Sequence, residues 1–277
     1  MKRVAVILAG GAGTRLRPLS SDENPKQFLR LFDGRSLIEL TYARVASMVA
    51  KVYVSTTEQY APLVAQHVPA AAIIAEPARR NTAPAIALSC FEIEKELGEC
   101  ALSFLASDHY IADEPEFARV LGRGYDFAER SDDLVAIGIE PTEPNTGFGY
   151  LELGAEIASG VRRVARFTEK PSLQRAEEFL RAGNYAWNAS MFVWRASVFR
   201  RALTAHAPEI ARVTCESYGS MPNVSIDYAL MEKAPNVAAI RGDFGWSDVG
   251  SFEALRRVGA DVDVILSRAD GEGSRTP

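Results

Sequence analysis

The chain has 277 residues, 47% of them hydrophobic and 24% charged, and carries a formal net charge of -5 at pH 7. That length suffices for a substantial core, as one large domain or two small ones. The acidic balance excludes a dedicated nucleic-acid binder, which shows basic excess, and no apolar run approaches the roughly 18 residues of a membrane span. The expected partners are therefore small molecules, with no nucleic acid and no membrane.

The first predicted element is Val4-Ala5-Val6-Ile7-Leu8, a continuous apolar run led by β-branched residues that reads as a buried parallel strand. No h-region or small-residue cleavage site of a secretory leader follows it, so a cytoplasmic setting is expected. Leu8-Ala9-Gly10-Gly11-Ala12-Gly13-Thr14-Arg15-Leu16 comes next. Glycines straight after a strand let backbone N–H groups approach a phosphate closely, because no Cβ intervenes. The segment lacks the Lys-Ser or Lys-Thr of a P-loop. It also carries Leu16 where a dinucleotide fingerprint needs its third glycine. Arg15, and Lys26 within Pro25-Lys26-Gln27-Phe28, can add charge-assisted hydrogen bonds to phosphate oxygens. A tight strand-to-helix turn with solvated cations would use the same residues, so the rest of the chain must decide.

Residues 51–55, 71–75, 101–105 and 134–138 read as further buried strands, and 36–50, 83–97 and 116–130 carry apolar residues at helical spacing. Asn81-Thr82 can cap the second of these helices, with Pro84 tolerated in its first turn. This alternation predicts a Rossmann-like, three-layer α/β fold with a mixed, mainly parallel sheet and helices on both faces. After Pro141 the pattern changes, with strands at 148–153, 161–168 and 186–194 and short helices at 173–180, 198–206 and 226–233. This half is expected to extend the sheet and to form a lid on one side of a nucleotide site. The expected division is one domain over 1–260, in halves near 1–140 and 141–260. The polar, aperiodic residues 261–277 read as a disordered tail.

Several acids stand where chemistry would need them. Asp108 ends the apolar run Phe104-Leu105-Ala106-Ser107, and ligands in open α/β sheets bind beyond the carboxyl ends of strands. A carboxylate there can hold Mg²⁺ together with substrate phosphates, or simply cap a turn. Asp248, in Phe244-Gly245-Trp246-Ser247-Asp248-Val249-Gly250, is a second candidate, ahead of a helix expected over 251–258. Glu169-Lys170-Pro171 offers an acid for sugar hydroxyls and a cation for phosphate, or an exposed ion pair. Trp187-Asn188 sets an amide beside an aromatic, a pairing found both at carbohydrates and in satisfied loops. Cys90, Cys100 and Cys215 are odd in number and far apart, and His67, His109 and His206 are scattered, so free thiols and no histidine metal centre are expected.

Taken in order, LAGGAGTRLRPLS, PKQF, EPARRNTAPAIAL, SDH, TGFGYLELG, RFTEKP, WNASMF, SIDYALMEK and FGWSDVGSF resemble the sugar-1-phosphate nucleotidyltransferases over 8–252. EPARRNTAPAIAL points to their guanylyl, mannose-directed branch, the mannose-1-phosphate guanylyltransferases. The resemblance implies transfer of GMP from GTP to α-D-mannose 1-phosphate, giving GDP-mannose and pyrophosphate by Mg²⁺-assisted in-line attack on the α-phosphorus. It implies that Leu8, Ala9, Gly10, Gly11, Gly13, Thr14, Arg15, Lys26 and Ser107 hold the triphosphate side. Glu76, Pro77, Asn81 and Thr82 would line the guanosine site. Asp108 and Asp248 would carry Mg²⁺ and act in catalysis with Arg15 and Lys26. Gly149, Glu169, Lys170 and Asn188 would hold the sugar phosphate.

Two departures from the family pattern are visible. Asn188-Ala189-Ser190-Met191-Phe192 stands where Asn-Ser-Gly-Met-Phe is usual, and a side chain in place of glycine would narrow the sugar pocket. The β-helix or isomerase domain of longer relatives is not expected in this chain. A homodimer rests on family likeness alone. The competing readings are a nucleotidyltransferase for another hexose 1-phosphate or nucleotide, and a non-catalytic GDP-sugar-binding regulatory homologue.

Overall fold

Side-chain alternation along each strand builds the three layers. In the computed structural model, residues 1–11, 13–260 and 262 are described. The strands are β1 (Lys2–Leu8), β2 (Arg30–Phe32), β3 (Arg35–Ser36), β4 (Lys51–Thr57), β5 (Ala72–Glu76), β6 (Cys100–Ala106), β7 (Tyr110–Ile111), β8 (Leu134–Ile139), β9 (Tyr150–Ala158), β10 (Val161–Thr168), β11 (Tyr185–Arg195), β12 (Val237–Gly242) and β13 (Trp246–Ser247). The helices are α1 (Leu37–Ala46), α2 (Ala61–His67), α3 (Thr82–Leu97), α4 (Glu114–Ala128), α5 (Leu173–Ala182), α6 (Ala196–His206) and α7 (Phe252–Arg257). Ala12 of the glycine loop, and the expected tail apart from Val262, lie outside the described residues.

A 9-stranded sheet runs in the order β5-β4-β1-β6-β11-β8-β12-β10-β9. β10 and β11 oppose the remaining strands, so the sheet is mixed and mainly parallel, as the alternation predicts. Val4 and Val6 of β1 join a core under α3 and α6, while Ala5 and Ile7 join a second core under α1 and α4. The period of two thus places helices on both faces. Strands of both halves of the chain share this one sheet, because β11 inserts between β6 and β8.

Three expectations differ in detail. β12 and α2 were not legible as elements, since Val237-Ala238-Ala239-Ile240 is short and alanine-rich and α2 spans only two turns. The strand expected from Phe148 starts at Tyr150, because the Phe148 ring packs edge-on against Trp187 and Trp246. The helix expected over 226–233 is a single π-helical turn, Asp227–Met231.

α1 starts on a capping box. Ser36 accepts from the Glu39 N–H, the Ser36 N–H donates to Glu39 Oε2 at 2.6 Å, and the Ser36 hydroxyl lies 2.8 Å from His67 Nδ1. Ser36→Ala is expected to cost about 1–2 kcal/mol, which lowers Tm by about 2–4 °C per kcal/mol in a domain of this size. An unchanged melting temperature would remove Ser36 from the scaffold that carries the site.

Candidate active site

The glycine loop leaves β1 at the carboxyl edge of the sheet and is held from beneath. Gln27 Nε2 donates to the carbonyls of Ala9 and Gly11, each at 2.9 Å, and Thr56 Oγ1 donates to Ala9 at 3.0 Å. Ser20 Oγ donates to Gly13 O at 2.6 Å. These bonds consume carbonyls of the loop, and the Ala9 N–H donates to Ser55 O at 2.8 Å. Gly13 has φ +62°, and a Cβ there would stand 2.5 Å from Lys26 Cβ and 2.7 Å from Lys26 N. Only glycine lets Lys26 pack that closely against the loop.

Lys26 is 4% exposed. Its ammonium donates to Asp108 Oδ2 at 2.8 Å and to the Asp248 backbone carbonyl at 2.5 Å. The short β7–β13 ladder, pairing Tyr110 with Ser247 and Ile111 with Trp246, brings the two acids to the same end. Asp248 Oδ2 lies 3.5 Å from Arg15 Nη1, and Asp248 Oδ1 accepts from the Gly250 N–H at 3.2 Å. Each predicted metal acid is thus paired with one predicted phosphate cation. Burial works to raise the Asp108 pKa, but the Lys26 ammonium prevails and holds the carboxyl below the usual carboxylate range. His109, next along, accepts from Trp246 Nε1 through Nδ1 at 3.1 Å, and burial pushes its imidazole well below its ordinary pKa. Its ring lines the cleft beside Asp108 and packs edge-on against Trp246.

A small third core fixes this arrangement. Leu16 and Val249, each 0% exposed, pack together with Leu37 and Leu255. One follows Arg15 and the other follows Asp248, so the cluster sets both charged groups against each other. Val249 has φ +39°, an unusual conformation for a β-branched residue, retained here inside a packed environment.

A cleft of ≈ 360 Å³ opens beside the loop. Leu8, Gly10, Gly11, Gly13, Glu76, Asn81, Thr82 and Ser107, from the expected nucleotide set, line it together with Asp108, expected as a metal acid. Ala9 is buried, and the exposed Thr14, Arg15 and Pro77 are not among the lining residues; Arg15 lines a separate depression with Trp246 and Asp248. Beside Gly10, where a Cβ would stand 3.4 Å from Glu76 Oε1, Glu76 is 5% exposed and accepts from Ser55 Oγ at 2.8 Å and from the Tyr218 hydroxyl at 2.7 Å. Burial raises its pKa, while those two donors act the other way. Gln27, Tyr218, Arg79 and Arg80 belong to this cleft or support it, and sequence reasoning missed them. Arg79 and Arg80 sit inside the quoted EPARRNTAPAIAL segment, which was the available signal.

The predicted sugar-phosphate residues also come together. A Cβ on Gly149 would lie 2.4 Å from Glu169 Oε2 and 3.3 Å from Asn188 Cβ, and the Asn188 N–H donates to Gly149 O at 2.8 Å. Glu169 Oε1 pairs with the Lys170 ammonium. Glu169 Oε2 is buried and has no hydrogen-bond partner among the described residues. Trp187 does not share this face with Asn188; strand alternation sends its ring to the opposite core, against Phe148. Ser190, at the position where glycine is usual, adopts φ +51° and lines the cleft. The glycine-like backbone is kept although the side chain is present.

The donor set suits a hard divalent cation. The Asp108 carboxylate pairs with Lys26, the Asp248 carboxylate pairs with Arg15, and the Asp248 backbone carbonyl links the two through Lys26; Mg²⁺ typically takes one or two carboxylates with the balance from substrate phosphates. Among the described residues no helix is long and apolar enough to cross a membrane.

The nucleotidyl transferase family matches residues 4–263. The xanthan biosynthesis protein XanB of Xanthomonas campestris pv. campestris (strain B100) is 38% identical over 292 residues, covering 97% of this chain and 60% of its own length. A mannose-1-phosphate guanylyltransferase of Sinorhizobium fredii is 39% identical over 281 residues, covering 92% of this chain and 54% of its own length. The crystal structure of a mannose-1-phosphate geranyltransferase from Thermus thermophilus superposes with a TM-score of 0.87 at 35% identity, covering 93% of this chain and 79% of that one. The chain therefore spans little more than half the length of the two curated relatives.

Proposed function

Because the chain belongs to the nucleotidyl transferase family, we propose that it transfers GMP from GTP to α-D-mannose 1-phosphate, releasing pyrophosphate and GDP-mannose. The observation that carries the transfer chemistry is the Lys26–Asp108 and Arg15–Asp248 constellation beside the glycine loop. The loop N–H groups and the two cations bind and orient the triphosphate. Lys170 holds the incoming phosphate, and Glu169 Oε2 accepts from a sugar hydroxyl, which gives that buried orphan its missing donor. A sugar-phosphate oxygen then forms a bond to the α-phosphorus while the bond to the bridging oxygen of the β-phosphate breaks in line. No protein nucleophile is required, because the attacking phosphate is already ionised. Asp108 and Asp248 would hold Mg²⁺, which supplies charge neutralisation at the phosphates when bound. The chain's own contribution is positioning and preorganised charge.

Guanine is favoured by Glu76 beside Gly10, since its carboxylate, which accepts from Ser55 and Tyr218, keeps further acceptor positions for the N1–H and exocyclic amine that guanine presents together. Mannose follows the naming of the Sinorhizobium fredii relative. The free thiols of Cys90, Cys100 and Cys215 fit a reducing, cytoplasmic setting. The test is pyrophosphate release across a panel of nucleoside triphosphates and hexose 1-phosphates, run with Mg²⁺. GTP with mannose 1-phosphate is expected to exceed every other pair by at least about tenfold, the worth of one charge-assisted hydrogen bond. Equal release with every triphosphate would remove Glu76 from base selection. Tight GDP-mannose binding with no release from any pair would make the chain a non-catalytic binder.

A further inference from the structure

Asp227, within the SIDYALMEK segment, is an acid of this cleft to which neither the sequence reading nor the transfer chemistry gives a role. It opens the π-helical turn Asp227–Met231, is 8% exposed, and lines the nucleotide cleft beside Ser190. π-helical turns are rare and concentrate at functional positions. Here the wide turn sets a carboxylate at the junction between the cleft and the sugar-phosphate residues. Asp227 Oδ1 accepts from Asn188 Nδ2 at 2.9 Å, and Asn188 Oδ1 accepts from the Ser190 N–H at 3.1 Å. Both ends of the Asn188 amide are therefore fixed, and its orientation depends on Asp227.

Nothing in the fold of this corner needs a second carboxylate so near Glu169. Burial, and next the charge of Glu169, push Asp227 up to about 6. Lys170 is the nearby cation, and it is already paired with Glu169 Oε1. Two acids held this way in a half-dry pocket are costly unless neutral donors come between them. Glu169, with a side chain only 7% exposed, is the independent sign of that missing donor, because its Oε2 has no partner among the described residues. A carboxylate offers about four acceptor positions. Asn188, Ser225 and its own N–H engage Asp227, so capacity remains toward the cleft it lines.

We propose that Asp227 is a specificity-determining residue that accepts a hydrogen bond from a ring hydroxyl of the hexose, acting beside Glu169 while holding Asn188 in place. The ligand chemistry is a polyhydroxylated ring whose neighbouring hydroxyls each donate to one carboxylate. The inference rests on the sugar-phosphate reading above.

The experiment compares GDP-mannose with GDP by calorimetry on the whole chain, for wild type, Asp227→Asn and Asp227→Ala. Asp227→Asn preserves an oxygen that can accept from Asn188, yet offers amide donors where the carboxylate accepted. It is expected to weaken GDP-mannose about ten- to hundredfold, the range for a hydrogen bond to a charged group, and to leave GDP within a few fold. In kinetics the same change is expected in KM for mannose 1-phosphate and not in KM for GTP. Wild-type affinity in Asp227→Asn would overturn the proposal; if Asp227→Ala alone were impaired, Asp227 would be a positioning residue for Asn188 and no more. Equal loss of GDP and GDP-mannose would also overturn it, since the damage would lie in the cleft itself. A wild-type chain that binds GDP and GDP-mannose alike would instead sink the sugar reading on which the proposal stands, a result recognisable before any variant is made.

Discussion

Lys26→Ala is expected to lower turnover by on the order of 10²–10³, the typical loss when one preorganised charge donor is removed from a transfer site. The ammonium is 4% exposed and reaches Asp108 Oδ2 at 2.8 Å and the Asp248 carbonyl at 2.5 Å, so no solvent cation can replace it in the same geometry. The substitution also leaves Asp108 without its strongest partner. That carboxylate is 30% exposed, and water can reach it, which keeps the cost in stability to about 1–3 kcal/mol. The measurement is kcat beside thermal unfolding. A folded variant with near-normal kcat would remove Lys26 from the mechanism. Lys26→Arg should restore little, because a planar guanidinium does not fit the point occupied by a buried ammonium.

The second large effect is expected from Gly13→Ala. At φ +62° an L-residue costs about 1–2 kcal/mol relative to glycine. The new methyl would also stand 2.5 Å from Lys26 Cβ and 2.7 Å from Lys26 N. The second contact is backbone and cannot swing aside, so the loop or the Pro25–Lys26 segment must move. The expected result is a loss of turnover approaching that of Lys26→Ala, with Tm lowered by several degrees. Gly11→Ala is the control for stability, since a Cβ there meets nothing within 4 Å. Equal melting temperatures for Gly13→Ala and Gly11→Ala would show that the loop tolerates displacement and that the close approach of Lys26 is incidental.

The parts of this site that the sequence revealed are those with a local signature. The glycines after β1, Asp108 at the end of β6, and Asn81 ahead of α3 each announce themselves within a few residues. Strand and helix positions were legible for the same reason, because apolar runs and their spacing are local. What stayed hidden depends on distant pairings. β11 enters between β6 and β8 from a later part of the chain. The Lys26–Asp108 bond joins residues 82 apart, and Glu76–Tyr218 joins residues 142 apart. Asp227 stands in the quoted SIDYALMEK segment without a role of its own, because its burial and its bond to Asn188 join residues 39 apart. Pro77 shows the opposite failure, a motif position whose side chain faces outward.

The paired charges beside the glycine loop have a further consequence. Buried Lys26 is released only to a visitor that can also satisfy Asp108, whereas Arg15, with its side chain 72% exposed, turns from Asp248 at little cost. A small anion such as inorganic phosphate, drawing Lys26 toward itself, would strand a carboxylate next to its own negative charge. A free cation drawn to Asp108 would strand the buried ammonium in turn. On the proposed function, the resting pair of Lys26 and Asp108 disfavours common ions arriving singly and favours a charge-balanced pair that exchanges partners with both side chains together. That discrimination would act before any base or sugar is read.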